Sequence, residues 1–209
     1  MRIGYLAKWY RWIEYAAFGR ALERCRFANL PRLSAARRVL IPGEGDGRTL
    51  ARLLVVAPDA RFDVIELSPE MIALARQRAH HSDRIAFHLQ DARAADWTPA
   101  SYDAIVTNFF LDCLNDQDAR QLIRRMAGAL APNGIWLIGE FAVPKNGWQR
   151  AHARIWIGTM YRFFRVTTKL RTSALPPIEC LMREAGMHRI CGYCGYCGYL
   201  SSPTARAGR

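Results

Sequence analysis

The sequence predicts one α/β domain, an open and mostly parallel sheet with helices on both faces. Three observations carry this. Val39-Leu40-Ile41 is an apolar, largely β-branched run that leads through Pro42 into Gly43-Glu44-Gly45-Asp46-Gly47-Arg48. A helical pattern follows from Thr49 to Val56. Strand, tight turn and helix in that order are the first unit of such a sheet. Next, Arg61 to Ile65 reads as a second strand ending on Glu66, with Leu67-Ser68-Pro69 opening a helix. Last, the apolar segment Ile85 to Leu89 ends in Gln90-Asp91-Ala92, which puts a second acid on the same carboxyl edge.

Glycine is needed where a turn takes positive φ and where bare backbone must approach a ligand closely. An acid at the tip of the second strand is placed to accept both hydroxyls of a ribose. Glu66 follows Gly47 by 19 positions, close to the spacing of about 20 expected for that role. It also flanks a Ser-Pro helix opening, which is ordinary capping chemistry, and both functions can coexist. Glycine loop, acid and acid on three consecutive strand tips make a nucleoside-shaped site.

Ahead of the first strand, residues 5–28 form an amphipathic helical pattern dense in aromatics: Tyr5, Trp9, Tyr10, Trp12, Tyr15 and Phe18. Such a stripe packs on the sheet or lies on a membrane surface with its basic residues on headgroups. Pro31 ends it. After the third strand, Ala104 to Thr107 is a fourth, running into Asn108-Phe109-Phe110-Leu111-Asp112. Asp112 either caps the helix beginning near Asn115 or faces an acceptor. Gln117 to Leu130 is a helix, Pro132-Asn133-Gly134 a turn, and Ile135 to Phe141 a fifth strand with Glu140 near its end.

Beyond the loop 144–147, Trp148 to Thr167 reads as a long aromatic, basic helix carrying His152, Trp156, Tyr161 and Arg162. Pro176-Pro177 breaks the chain, Ile178 to Ala185 is a short helix, and Gly186 starts a sixth strand. Cys191-Gly192-Tyr193-Cys194-Gly195-Tyr196-Cys197-Gly198-Tyr199 follows. Cysteine at every third residue invites a metal-ligand reading. Alternating strand faces would point neighbouring cysteines apart, and no distant second ligand pair is evident, so no metal is assigned. Ser201 to Arg209 reads as a disordered tail.

The stretches VLIPGEGDGR at 39–48, FDVIELSPEMIALAR at 62–76, HLQDARAADW at 88–97, YDAIVTNFFLDCL at 102–114 and LAPNGIWLIGEF at 130–141 together cover about half of the chain. In order and spacing the sequence resembles the class I S-adenosylmethionine-dependent methyltransferases, and within them small-molecule, quinone-type C-methyltransferases. The resemblance implies a three-layer Rossmann-like fold of seven strands in the order 3-2-1-4-5-7-6, the last antiparallel. It divides the chain into an N-terminal helical lid (1–36), a cofactor-binding core (37–143), an acceptor-side helix (144–177) and a C-terminal hairpin and tail (178–209).

The cofactor implied is S-adenosylmethionine, with S-adenosylhomocysteine as product. Gly43, Glu44, Gly45, Asp46 and Gly47 would form its loop, and Glu66 would hold the ribose. Leu67, Met71, Asp91 and Ala92 would border the adenine, and Asn108 the sulfonium. Many members carry an acid where this chain has Ile41, so Glu44 inside the loop becomes a candidate for the methionine ammonium. Asn108, His152 and Tyr161 are the catalytic candidates, with His152 the general base. Tyr5, Tyr10 and Tyr15 would line the acceptor pocket, and the aromatic lid favours an apolar or aromatic acceptor.

Composition bounds the rest. A chain of 209 residues that is 51% hydrophobic can bury a sizeable core as one domain. No run approaches the roughly 20 apolar residues of a membrane-spanning helix, and charges interrupt residues 5–26, so the expected location is cytoplasmic. The net charge of +12 permits an anionic partner. However, lysine occurs only at 8, 145 and 169, the arginines are spread over many segments, and no RNA-binding module is visible. The Asn/Asp-Pro-Pro-Tyr tetrad of enzymes that methylate base amines is absent at 108–111. A small-molecule acceptor is therefore expected. An RNA methyltransferase and a cofactor-binding accessory protein without turnover are the alternatives.

Overall fold

The computed structural model describes residues 21–140, 176–192 and 199–203. The expectations for Tyr5, Tyr10 and Tyr15, for His152 and Tyr161 on the helix 148–167, and for residues 193–198 of the repeat at 191–199 lie outside the described residues.

A helix, α1 (Ala21–Phe27), and a 3-10 turn at Leu30–Leu33 precede strand β1 (Arg38–Pro42). Then follow α2 (Arg48–Val56), β2 (Arg61–Glu66), α3 (Pro69–Arg78), β3 (Ile85–Leu89) and β4 (Tyr102–Asn108). A 3-10 turn at Leu111–Cys113 leads to α4 (Asp116–Ala129), β5 (Leu130–Gly139), α5 (Ile178–Glu184), β6 (Met187–Gly192) and β7 (Tyr199–Pro203). The sheet runs β3-β2-β1-β4-β5-β7-β6. Its parallel part, 3-2-1-4-5, has the order expected from the sequence, and β7 lies antiparallel to both β5 and β6.

A parallel sheet covered on both faces needs near-continuous apolar strands, and β1 buries Val39, Leu40 and Ile41 completely or nearly so. Successive side chains point to opposite faces. Leu40 joins Ile65, Ile105, Trp136 and Leu122 on the face covered by α4 and α5. Val39 and Ile41 join Phe62, Val64, Val106, Leu50 and Leu53 under α2, with Leu30 and Leu33 of the first 3-10 turn. Trp136 is satisfied inside the core because its Nε1 donates to Thr107 Oγ1 at 3.0 Å.

Helix boundaries follow capping chemistry. Ser68 Oγ accepts from Met71 N to open α3, with Pro69 in the first turn. The cap of α4 is Asn115, whose Oδ1 accepts from Asp118 N at 2.9 Å. Asp112 therefore does not cap that helix; it is buried in the 3-10 turn before it. Arg84 closes the other end of α2, donating to the carbonyls of Leu54, Ala57 and Pro58 at 2.9, 3.1 and 2.7 Å.

Two further expectations are corrected. The Pro132-Asn133-Gly134 turn does not precede the fifth strand but interrupts it. Tyr102 pairs with Leu130 and Ala104 with Ile135, so residues 131–134 loop out of the ladder, with Asn133 at φ 63°. Ser201, Ser202 and Pro203 belong to β7 instead of a disordered tail; Ser201 lies opposite Trp136 of β5 and Arg189 of β6. The physical reason is the open edge of β5, whose backbone groups need partners.

Candidate active site

The carboxyl ends of β1, β2, β3, β4 and β5 form one edge, and every described candidate residue lies on or just beyond it. The three loop glycines all take positive φ, at 67° for Gly43, 70° for Gly45 and 85° for Gly47, a region L-residues avoid. Their surroundings differ. A side chain at Gly43 would run into the Phe110 ring, and one at Gly47, the residue before α2, would lie 2.5 Å from Ala75 Cα of α3. A Cβ at Gly45 would meet no atom within 4 Å. Gly43 and Gly47 are thus fixed by packing, whereas Gly45 faces open space along the edge.

Glu66 ties this loop to the tip of β2. Its Oε2 accepts from Gly45 N at 3.0 Å, and its Oε1 accepts from Leu67 N and Ser68 N at 2.9 and 3.0 Å. Leu67 is 65% exposed, while Met71 is half-buried in the first turn of α3. Glu44 turns inward and accepts from Leu50 N at 2.9 Å, helping to cap α2. Burial pushes its carboxyl up to about 7 against the pull of that backbone bond and of Arg26. Asp46 bridges helices: Arg48 Nε lies 3.1 Å and Arg78 Nη1 2.7 Å from its carboxylate. Burial opposes ionisation there, but the two guanidiniums hold Asp46 below the usual carboxylate range.

Asp91 is likewise engaged. Arg93 grips it with Nη2 at 2.6 Å, reaches Asp118 of α4 at 3.0 Å, and holds the Asp91 carboxyl below its ordinary value. The adjacent Ala92 is buried. Asn108, opposite Gly139 in the β4–β5 ladder, donates from Nδ2 to Thr49 Oγ1 at 3.3 Å, joining the tip of β4 to the first turn of α2. Its Oδ1 fills the space a side chain at residue 139 would need.

The sequence named Asp112 and Glu140 beyond β4 and β5 but did not bring them together. Glu140 is buried and accepts from Leu111 N at 2.9 Å and Asp112 N at 3.3 Å. Asp112 hydrogen-bonds to it, and burial raises the Asp112 carboxyl to about 6 and Glu140 well above the usual range. Cys113 Sγ lies 3.5 Å from Asp112 Oδ1, and burial beside these acids pushes the thiol up. Arg26 was also missed. In the last turn of α1, its guanidinium carbon lies 5.4 Å from the centroid of the Phe109 ring. Phe109 itself takes φ 55° directly after β4. The only sequence signal for these contacts was that both acids flank strand tips, since contacts over 28 positions or more leave no local pattern.

Residues 39–134 match the model of a methyltransferase domain. Over these residues the chain is similar to class I S-adenosylmethionine-dependent methyltransferase domains. Trans-aconitate 2-methyltransferase of Rhodococcus jostii (strain RHA1) is 34% identical over 140 residues, 64% of this chain and 51% of that protein. The 2-phytyl-1,4-naphtoquinone methyltransferase of Thermosynechococcus vestitus is 27% identical over 165 residues, 72% of this chain and 71% of that protein. The chain spans about half the length of the first of these relatives. In fold it is similar to N-methyltransferase NodS from Bradyrhizobium japonicum WM9 in complex with S-adenosyl-L-homocysteine. The TM-score is 0.62 at 21% identity, over 87% of this chain and 88% of that one.

Proposed function

We propose that this chain transfers the S-methyl group of S-adenosylmethionine to a small organic acceptor, leaving S-adenosylhomocysteine. The observation that carries the reading is the Gly45–Glu66 contact at the edge: a glycine with open space beside it, its amide held by the acid at the next strand tip. That juxtaposition suits a nucleoside, with bare backbone on one side and a ribose-binding carboxylate on the other. The methyltransferase relatives support the choice of cofactor over a dinucleotide.

In this reading Gly43, Gly45 and Gly47 shape the loop, Glu66 takes the ribose, and Leu67, Met71, Asp91 and Ala92 border the adenine. An ionised carboxylate offers about four acceptor sites, and three at Glu66 already hold backbone amides. Accepting both ribose hydroxyls requires releasing one, and the Gly45 amide is the one outside the β2–α3 turn. Asp91 keeps Arg93 and offers the adenine its remaining lone pairs. Asp46 acts on the loop by clamping α2 to α3.

The cofactor supplies an already activated methyl group. The protein's part is to align the acceptor, exclude water and, for an oxygen or carbon acceptor, remove a proton. Asn108 borders this reaction as a residue held by Thr49; His152 is the proposed base and Tyr161 the proposed acceptor-side phenol. The helical lid 1–36 and the helix within 144–177 complete the acceptor pocket, and an apolar or aromatic acceptor fits their composition. Among the described residues no helix is long and apolar enough to cross a membrane, and the proposed setting is cytoplasmic, with peripheral membrane contact available to the N-terminal helix.

The test is incubation with methyl-labelled S-adenosylmethionine and an extract of the host, with Glu66→Ala as control. Label in an organic-soluble metabolite, lost in the control, is the expected outcome. Label in an RNase-sensitive fraction would replace the acceptor class, and cofactor binding without any transfer would favour the accessory role.

A further inference from the structure

The strand order reverses between β1 and β4, and open α/β sheets take their ligands in the crevice at such a reversal. Here the two strands part early. Val39 pairs with Ala104 and Leu40 with Ile105, and among the described residues no later pair follows, although β1 runs on to Pro42 and β4 to Asn108. One flank of the crevice is the glycine loop, which hangs on β2. Gly43 N donates to Ile65 O at 2.8 Å, and Gly45 N donates to Glu66 at 3.0 Å. The other flank is the turn after β4, and one side chain crosses from it. The Phe110 ring lies against Gly43, in the space a Cβ there would take.

What aims this ring is a buried acid one strand further on. Glu140, directly after β5, meets the turn with both carboxyl oxygens, Oε1 accepting from Leu111 N at 2.9 Å and Oε2 from Asp112 N at 3.3 Å. The Asp112 side chain hydrogen-bonds back to it. On the near side of the ring, Phe109 N donates to Gly139 O at 2.6 Å, and Arg26 lies over the Phe109 ring. The opening amides of a helical turn have no partners within it, and one carboxyl group satisfies two at once. We infer that Glu140 is a positioning residue for the cofactor: by holding the turn at Leu111 and Asp112 it keeps Phe110 on Gly43, and so braces the glycine loop from the side opposite Glu66. This deepens the methyl-transfer reading and rests on it. The loop is gripped by hydrogen bonds from β2 and propped through an aromatic ring from β5. Glu140 touches no part of the cofactor; it acts through Phe110.

The experiment is a double-mutant cycle read as affinity for S-adenosylhomocysteine in calorimetry. It uses wild type, Glu140→Met, Glu140→Gln, Phe110→Leu and the two double variants. Glu140→Met removes both acceptor oxygens at similar volume, whereas Glu140→Gln keeps an oxygen for Leu111 and sets an amide against Asp112 N. Glu140→Met and Phe110→Leu are each expected to weaken binding roughly tenfold, with Glu140→Gln in between. Because both residues act through one contact, Glu140→Met should weaken binding less than about twofold further once Phe110 is leucine. Losses that multiply in full would make Glu140 a general stabiliser and overturn the inference, as would unchanged affinity in Glu140→Met or Phe110→Leu. Should Glu140→Met fail to fold, Glu140→Gln carries the same comparison. No loss in it, or a loss undiminished beside leucine, overturns the inference. Thr107→Val, which weakens the core away from the edge, is the reference for instability alone and should bind as wild type does. Failure of the wild type to bind S-adenosylhomocysteine is a different result, and it would sink the methyl-transfer reading itself.

Discussion

Glu66 Oε2 accepts a hydrogen bond from the Gly45 amide at 3.0 Å across 21 positions of sequence. This one contact joins the tips of two adjacent strands and sets the width of the slot between them. Glu66→Gln keeps the shape and removes the charge and one acceptor oxygen. It is expected to lower affinity for S-adenosylhomocysteine at least tenfold in calorimetry. Its stability in urea should fall by only about 1–2 kcal/mol. A large stability loss with unchanged affinity would make Glu66 a structural clasp.

The three loop glycines should separate by what surrounds them. Gly45→Ala carries only the cost of positive φ, roughly 1–2 kcal/mol, and should lower cofactor affinity because its methyl enters the open space. Gly47→Ala adds a collision with the Ala75 backbone, for roughly 3 kcal/mol or more in total. Urea midpoints and S-adenosylhomocysteine titrations on both variants check the order.

Stability should depend on pH through the buried acids. Glu44 has its folded value raised to about 7 from 4.5. Between these values the folded chain binds more protons than the unfolded one, so stability falls as pH rises through that window. One such proton contributes at most about 1.4 kcal/mol per pH unit. Asp112, raised to about 6, acts in the same direction. Glu44→Gln is expected to flatten the fall between pH 5 and pH 7 (roughly the window the linkage defines), leaving a smaller slope from the Asp112–Glu140 pair. An equal slope in the variant would remove Glu44 from the account.

Thr107 and Trp136 form a hydrogen bond inside the sheet core, 3.0 Å long and shut away from water. Thr107→Val leaves the indole N–H without its acceptor at almost constant volume. A loss of about 1–3 kcal/mol is expected, with S-adenosylhomocysteine affinity unchanged, because neither residue reaches the strand-tip edge.

The parallel strands were legible because burial on both faces forces apolar runs, and because glycines and acids mark where those runs end. Val39 to Ile41, buried on both faces, needed no tertiary information, whereas Ile85 to Leu89 is an edge strand without a buried residue, legible from its apolar residues and its Gln90-Asp91 end. The residues 131–134 were harder: the Pro-Asn-Gly signal gave the turn correctly but not its place inside a ladder, which depends on Tyr102 pairing with Leu130. Asp112 misled for a similar reason. Its position left a cap and an acceptor-facing acid both open; Asn115 already served as the cap, and burial beside Glu140 gave Asp112 another partner. The site divided the same way. Gly45 and Glu66 announced themselves by spacing, whereas Arg78 beside Asp46, Asp118 beyond the Asp91–Arg93 pair and Thr49 beside Asn108 are brought near only by the fold. Arg26 gave no signal at all among so many arginines.

Arg84, with its guanidinium set among the carbonyls of Leu54, Ala57 and Pro58, bears on how the basic composition evolved. A lysine there would preserve every unit of charge, yet its single ammonium could not span three carbonyls at once. A gene recoded with lysine for arginine throughout would therefore encode a chain of identical net charge whose α2 lacked its C-terminal clamp. The arginine count records architecture at such positions, and isoelectric point alone would mistake it for a surface.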